Sequence, residues 1–112
     1  MKKSSLATII IILVIIAFAF YIKTKPVQAT SEEIAKCMGK NSILYIQLGC
    51  HACKIQEDLF GENYQYLNVV DCFYESQECI DKHIEVTPTW IINGEKIRGA
   101  QSIKKLQELT GC

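Results

Sequence analysis

The chain has 112 residues, with twelve lysines and arginines against twelve acidic residues, six cysteines and a hydrophobic share of 49%. That length suits one small domain. From Thr30 onward eight basic residues stand against twelve acidic ones, a balance of −4, and an acidic domain without a basic patch argues against nucleic acid as a partner.

After a short tail, residues 1–5, residues 6–22 (LATIIIILVIIAFAFYI) carry no charge. Seventeen such residues reach the lower end of the roughly 17–25 needed to cross a bilayer as a helix. The segment lacks the polar face that a helix of a small domain requires, so it reads as a transmembrane anchor. A cleavable signal segment is the alternative, with Val27-Gln28-Ala29 as a small-x-Ala site. Lys23 and Lys25, lying between the apolar run and that site, and the length of the run speak for the anchor. Lys2 and Lys3 on one flank and Lys23 and Lys25 on the other favour a cytoplasmic N-terminus by a small margin. Six cysteines in so short a chain fit an oxidising compartment, so the expected location is the cell membrane, single-pass, with the domain facing outside the cytoplasm.

Residues 23–29, which include Pro26, read as a linker, and 30–112 as the domain. Ser31 followed by Glu32 and Glu33 predicts a helix start, with the helix running to Met38 and stopping at Gly39. Residues 42–48 (SILYIQL) predict a buried strand. Cys50-His51-Ala52-Cys53 follows, opening a helix in which Ile55, Leu59 and Phe60 share a face and which Gly61 and Asn63 end. Residues 64–71 predict a second strand and 75–83 a helix. Residues 89–92, the turn Asn93-Gly94 and residues 95–98 predict a hairpin. Residues 102–109 predict a last helix, with Gly111 as its stop. Strands alternating with helices, then an antiparallel pair, imply an α/β domain: a mixed central sheet covered on both faces.

A CxxC where a strand gives way to a helix, with Thr87-Pro88-Thr89-Trp90 entering a hairpin some 35 residues later, resembles the thioredoxin superfamily. The stretches Ile34-Ala35-Lys36-Cys37, Val70-Asp71-Cys72, Pro88-Thr89-Trp90-Ile91-Ile92-Asn93-Gly94 and Leu109-Thr110-Gly111-Cys112 resemble, more narrowly, the thioredoxin-like domain associated with bacterial and archaeal vitamin K epoxide reductase homologues. The resemblance implies a thioredoxin fold, transfer of disulfides to secreted or membrane protein thiols, and reoxidation by a quinone-linked membrane partner. It further implies a cis peptide before Pro88, facing the CxxC, with Thr87 and Pro88 binding substrate through an edge-addition mode. The alternative for Pro88 is a simple chain break before the hairpin. Structural disulfides Cys72–Cys79 and Cys37–Cys112 follow from the same resemblance, with a second redox pair as the alternative for Cys72 and Cys79. This sequence departs from its relatives at Gly49, where an aromatic residue is usual, and at His51-Ala52. It also has Leu44 where cytoplasmic thioredoxins carry a buried aspartate.

The chemistry of the CxxC follows from its spacing. Cys50 at a helix N-terminus is exposed to free N–H groups and the helix dipole, which favour its thiolate and lower its pKa below the ordinary value of about 8.5. Cys53, one turn deeper, is the resolving thiol, and a protonated His51 adds stabilisation of the Cys50 thiolate. A structural bridge or half of a metal site is the bland alternative. A zinc site of that type needs four ligands and the sequence has no second CxxC, so neither metal nor cofactor is expected. The expected activity is protein thiol–disulfide oxidoreductase, working as an oxidase. The alternatives are a tethered reductase fed by a membrane electron carrier and a non-catalytic disulfide-stapled binding module.

Overall fold

A computed structural model of the protein describes residues 2–23 and 31–112. Residues 24–29 of the expected linker, with Pro26 and the small-x-Ala site, fall outside these residues, and Lys23 belongs to the first helix. Helix α1, Lys2–Lys23, contains within Lys2–Ile22 an 18-residue window of mean hydropathy 2.9, none of it buried, and is the one helix among the described residues long and apolar enough to cross a membrane. At 1.5 Å per residue its 22 residues match a hydrocarbon core of about 30 Å.

The domain begins with α2 (Glu32–Asn41), whose N-cap Ser31 accepts a hydrogen bond from the Ile34 N–H and whose first turn carries Glu32 and Glu33. Strand β1 (Ser42–Ile46) leads to α3 (His51–Phe60), then a 3₁₀ turn (Gly61–Tyr66), β2 (Val69–Asp71), α4 (Ser76–Asp81), β3 (Thr89–Ile92), β4 (Glu95–Arg98) and α5 (Ile103–Thr110). The sheet order is β2-β1-β3-β4. β1 runs parallel to β2, with Leu44 opposite Val69, and antiparallel to β3, with Leu44 opposite Trp90. Asn93 and Gly94 close the β3–β4 hairpin at φ of 52° and 79°, the left-handed pair that suits the twist of two strands.

Because side chains alternate along a strand, the sheet has two distinct faces. On one, Leu44, Trp90 and Ile92 pack with Ala35 and Met38 of α2, Phe60 of α3 and Leu106 of α5. On the other, buried Tyr45 donates from Oη to Glu78 of α4 at 3.2 Å. Burial foremost, and then Glu78, raise the Tyr45 pKa above its ordinary value.

Four elements differ from the sequence expectation. α2 does not stop at Gly39 but continues to Asn41. A Cβ at Gly39 would collide with the Tyr66 carbonyl oxygen, so this glycine serves a close backbone approach rather than a helix end. That approach places α2 beside Tyr66. The expected strand over 64–71 is therefore only three residues long, preceded by a 3₁₀ turn, and pairing with β1 starts at the bond from Leu44 N–H to the Asn68 carbonyl, 2.9 Å. β1 ends at Ile46 because the chain turns at Gly49, whose φ is 83°. The helix expected over 75–83 is confined to Ser76–Asp81, and His83 lies beyond it at φ 54°.

Candidate active site

The turn after β1 delivers the CxxC. Cys50 N–H donates to the Gln47 carbonyl at 3.1 Å. One carboxylate oxygen, Asp71 Oδ1, accepts from Leu48 N–H at 3.3 Å and from Phe73 N–H at 2.9 Å, so it ties this turn to the loop after β2. Cys50 then caps α3. Its backbone is extended (φ −81°, ψ 114°), and the Cys53 N–H donates to its Sγ at 3.1 Å. The sulfur takes the place that a serine or asparagine oxygen takes at an ordinary N-cap. Negative charge on it is favoured there by that N–H and by the positive end of the helix.

Cys50 and Cys53 are bonded, with Cα atoms 5.2 Å apart. Cys50 is partly exposed and Cys53 is 5% exposed, so Cys50 is the more accessible of the two. His51 is exposed at the first position of α3. Across the site, the Thr87–Pro88 peptide is cis, and the Thr87 carbonyl oxygen lies 3.5 Å from Cys50 Sγ. The fold thus brings Cys50, His51, Cys53, Thr87 and Pro88 to one place.

The other four cysteines form two further bonds. Cys37 is bonded to Cys112 and Cys72 to Cys79, with Cα separations of 5.9 and 5.6 Å. Among the described residues no group of three or more His, Cys, Asp or Glu side chains could hold a metal ion.

A shallow cavity of about 410 Å³ opens beside the disulfide, with Leu48, Cys50, His51, Cys53, Lys54 and Glu57 in its wall. A second, of about 350 Å³, reaches from Gln47 to Cys72, Val86 and Thr87. Lys54 reaches back to Asp58 at 3.1 Å, and that hydrogen bond raises the ammonium pKa above its usual range.

The sequence reading missed one residue of this site. The buried face of α3 is Cys53, Gln56 and Phe60, whereas Ile55 and Leu59, expected beside Phe60, are 46% and 43% exposed. Gln56 is wholly buried. Its Oε1 accepts from Trp90 Nε1–H at 3.0 Å and from Gln101 N–H at 2.6 Å, and its Nε2 donates to the Gln101 carbonyl at 3.0 Å. The signal that could have revealed it is the i, i+3 step from Cys53, since a residue one turn from the inner cysteine shares its inward face.

No protein-family model matches the chain. In sequence, it is 33% identical over 105 residues to the thiol-disulfide oxidoreductase LTO1 of Arabidopsis thaliana, an alignment that takes in 81% of this chain and 28% of LTO1. The chain therefore spans less than a third of the length of LTO1. Among solved structures, the alkylhydroperoxide reductase AhpF of Enterococcus faecalis superposes with a TM-score of 0.50 at 18% identity, over 78% of this chain and 46% of that one. The thioredoxin-like protein BC3987 superposes with a TM-score of 0.45 at 29% identity, over 61% of this chain and 96% of that one. The mixed four-stranded sheet flanked by helices, with a bonded CxxC at the strand-to-helix junction, is a thioredoxin-like fold, and the chain has a thiol–disulfide oxidoreductase among its homologues.

Proposed function

We propose that the chain is a membrane-anchored, extracytoplasmic protein thiol–disulfide oxidoreductase that passes its Cys50–Cys53 disulfide to thiols of secreted or membrane proteins. The observation that carries this reading is the bonded pair itself. Its outer sulfur caps a helix and lies 3.5 Å from the Thr87 carbonyl, while its inner sulfur is 5% exposed. The likeness to LTO1 supports it.

In the oxidising direction a substrate thiolate attacks Cys50 Sγ. A substrate–Cys50 disulfide forms, the Cys50–Cys53 bond breaks, and Cys53 leaves as a thiolate that takes up a proton from solvent. A second substrate thiolate then attacks the substrate sulfur of that mixed disulfide. Cys50 leaves as a thiolate, stabilised by the Cys53 N–H and the helix dipole, and by His51 when that side chain carries a proton. The substrate has lost two electrons and the CxxC has gained them. Thr87 and Pro88 hold the substrate segment, the Thr87 backbone serving as an edge for an extended chain.

Helix α1 is the anchor. Three disulfides among the described residues suit a compartment outside the cytoplasm, and two of them, Cys37–Cys112 and Cys72–Cys79, act as structural staples. The reduced CxxC then returns its electrons to a quinone-linked membrane enzyme resembling a vitamin K epoxide reductase homologue. Leu44, wholly buried six residues before the CxxC, puts no carboxylate at the position that serves cytoplasmic thioredoxins, which favours the oxidant over a reductant.

Cys50→Ser should abolish disulfide transfer to a reduced dithiol peptide, and transfer that persisted at the unaltered rate would refute the assignment. Direction is read from the reduction potential, since about −120 mV marks an oxidant and about −270 mV a reductant. A membrane-impermeant thiol reagent should label the reduced CxxC in intact cells. Labelling only after lysis would place the domain in the cytoplasm.

A further inference from the structure

The inner face of α3 is apolar except for Gln56, whose carboxamide makes three hydrogen bonds, to Trp90 and to both backbone groups of Gln101. A leucine or methionine would fill the same space but leave the Trp90 Nε1–H and the Gln101 backbone groups without this partner, so the carboxamide calls for an explanation beyond filling space.

Its partners supply one. Gln101 donates from its own Nε2 to the carbonyls of Arg98 and Gly99, at 3.0 and 3.2 Å. Gly99 N–H donates to the Pro88 carbonyl at 2.8 Å. Pro88 follows Thr87, whose carbonyl lies 3.5 Å from Cys50 Sγ, and Cys50 caps the helix that carries Gln56. The contacts form a closed ring around the site: Cys50, α3, Gln56, Gln101, Gly99, Pro88, Thr87 and back to Cys50. The Trp90 bond braces it from the strand that begins directly after Pro88.

We propose that Gln56 is a positioning residue that fixes the rotation and depth of the CxxC helix against the Thr87–Pro88 segment, so that a chain docked on Thr87 presents its sulfur in line with Cys50. The proposal rests on the reading that Cys50 exchanges with thiols of an extended chain held at Thr87. It separates two kinds of partner. A dithiol peptide uses both Thr87 and Cys50 and feels their alignment. Dithiothreitol, too small to span them, uses Cys50 alone.

The test compares, in the full chain, the rate at which a reduced dithiol peptide takes the disulfide with the rate at which dithiothreitol reduces it. In Gln56→Met, which keeps the volume and removes the bonds, the peptide rate should fall about tenfold or more, while the dithiothreitol rate stays within about twofold, a tenfold loss being about 1.4 kcal/mol. Gln56→Glu supplies a rescue. A protonated carboxyl can accept from Trp90 and Gln101 N–H and donate to the Gln101 carbonyl as the amide does, whereas the ionised form turns an oxygen without a proton toward that carbonyl. The peptide-to-dithiothreitol ratio of this variant should therefore approach the unaltered value at acidic pH and fall as pH rises.

A general loss of stability lowers the unfolding midpoint but does not separate the two rates. Equal falls in both rates, no fall in either, a flat ratio for Gln56→Glu, or failure of both variants to fold would each overturn the proposal. If the unaltered chain transfers nothing to the peptide although dithiothreitol reduces it, the functional reading fails and this proposal falls with it. That result is recognisable because no substitution is involved.

Discussion

Removing the two disulfides outside the CxxC should destabilise the domain unequally. Cys37 and Cys112 are 75 residues apart in sequence and Cys72 and Cys79 only seven. In the chain-entropy account a crosslink stabilises by restricting the unfolded chain, to an extent that rises with the logarithm of the closed loop. The long loop then contributes about 4.5 kcal/mol and the short one about 2.4 kcal/mol, a gap of about 2 kcal/mol. Native contacts reinforce the order. Cys112 packs against the main core cluster, and the Asn41 amide donates to the Cys37 carbonyl at 2.8 Å beside both sulfurs of that bridge. The assay is equilibrium unfolding of the full chain in detergent under non-reducing conditions, comparing the double variants Cys37→Ala/Cys112→Ala and Cys72→Ala/Cys79→Ala with the unaltered protein. The Cys50–Cys53 bond remains in all three and cancels. Equal losses, or a larger loss from the short loop, would refute the reasoning and point to a role for Cys72–Cys79 beyond that of a local staple.

Two further outcomes follow from local geometry. Gly39→Ala drives a methyl group into the Tyr66 backbone, where no side chain can swing aside, so it should lower stability by about 1–3 kcal/mol; an unchanged unfolding midpoint would contradict the close approach of α2 to the 3₁₀ turn. Tyr64 Oη is buried with no hydrogen-bond partner among the described residues, and burial first, then Glu57 and Asp71, push its pKa up to about 12 from the ordinary 10.0. Between about pH 10 and about pH 12 the folded state thus keeps a proton the unfolded state has lost, so the stability this group contributes is complete below that window and declines as pH rises through it. Tyr64→Phe should remove that part of the alkaline decline and hold or raise stability at neutral pH by up to about 1 kcal/mol, as read by unfolding midpoints measured along a pH series for both proteins.

Where a local signal and the tertiary requirement coincide, the sequence was enough. Asn93-Gly94 demands a tight hairpin whatever surrounds it, and β3, the turn and β4 lie where the alternation and the turn place them. Gly111 ends α5 as a left-handed residue, readable without a partner, while Ser102, expected as the first residue of the helix, caps it from one position outside. The misreadings share another cause. Gly39 has the form of a helix stop in one dimension and serves as a contact in three, because the reason for the missing side chain lies 27 residues away at Tyr66. Residues 64–71 have the β-rich composition of a strand, but α2 packs beside Tyr66 and pairing begins only at Asn68.

The same distinction explains what was legible at the site. A CxxC before a helix pattern declares its own chemistry, since two residues between cysteines are what one turn needs to bring the sulfurs together. Hydrophobicity then suggested that Ile55 and Leu59 face inward with Phe60. The cysteine pair had already set a different phase: Cys53 has to lie under Cys50, which turns Gln56 and Phe60 inward and leaves Ile55 and Leu59 about half exposed. Position on this helix is dictated by the covalent geometry of the site, and apolarity yields to it. A glutamine on the inward phase can then be read only through its partners, and those lie 34 and 45 residues further along the chain, beyond the reach of any periodicity.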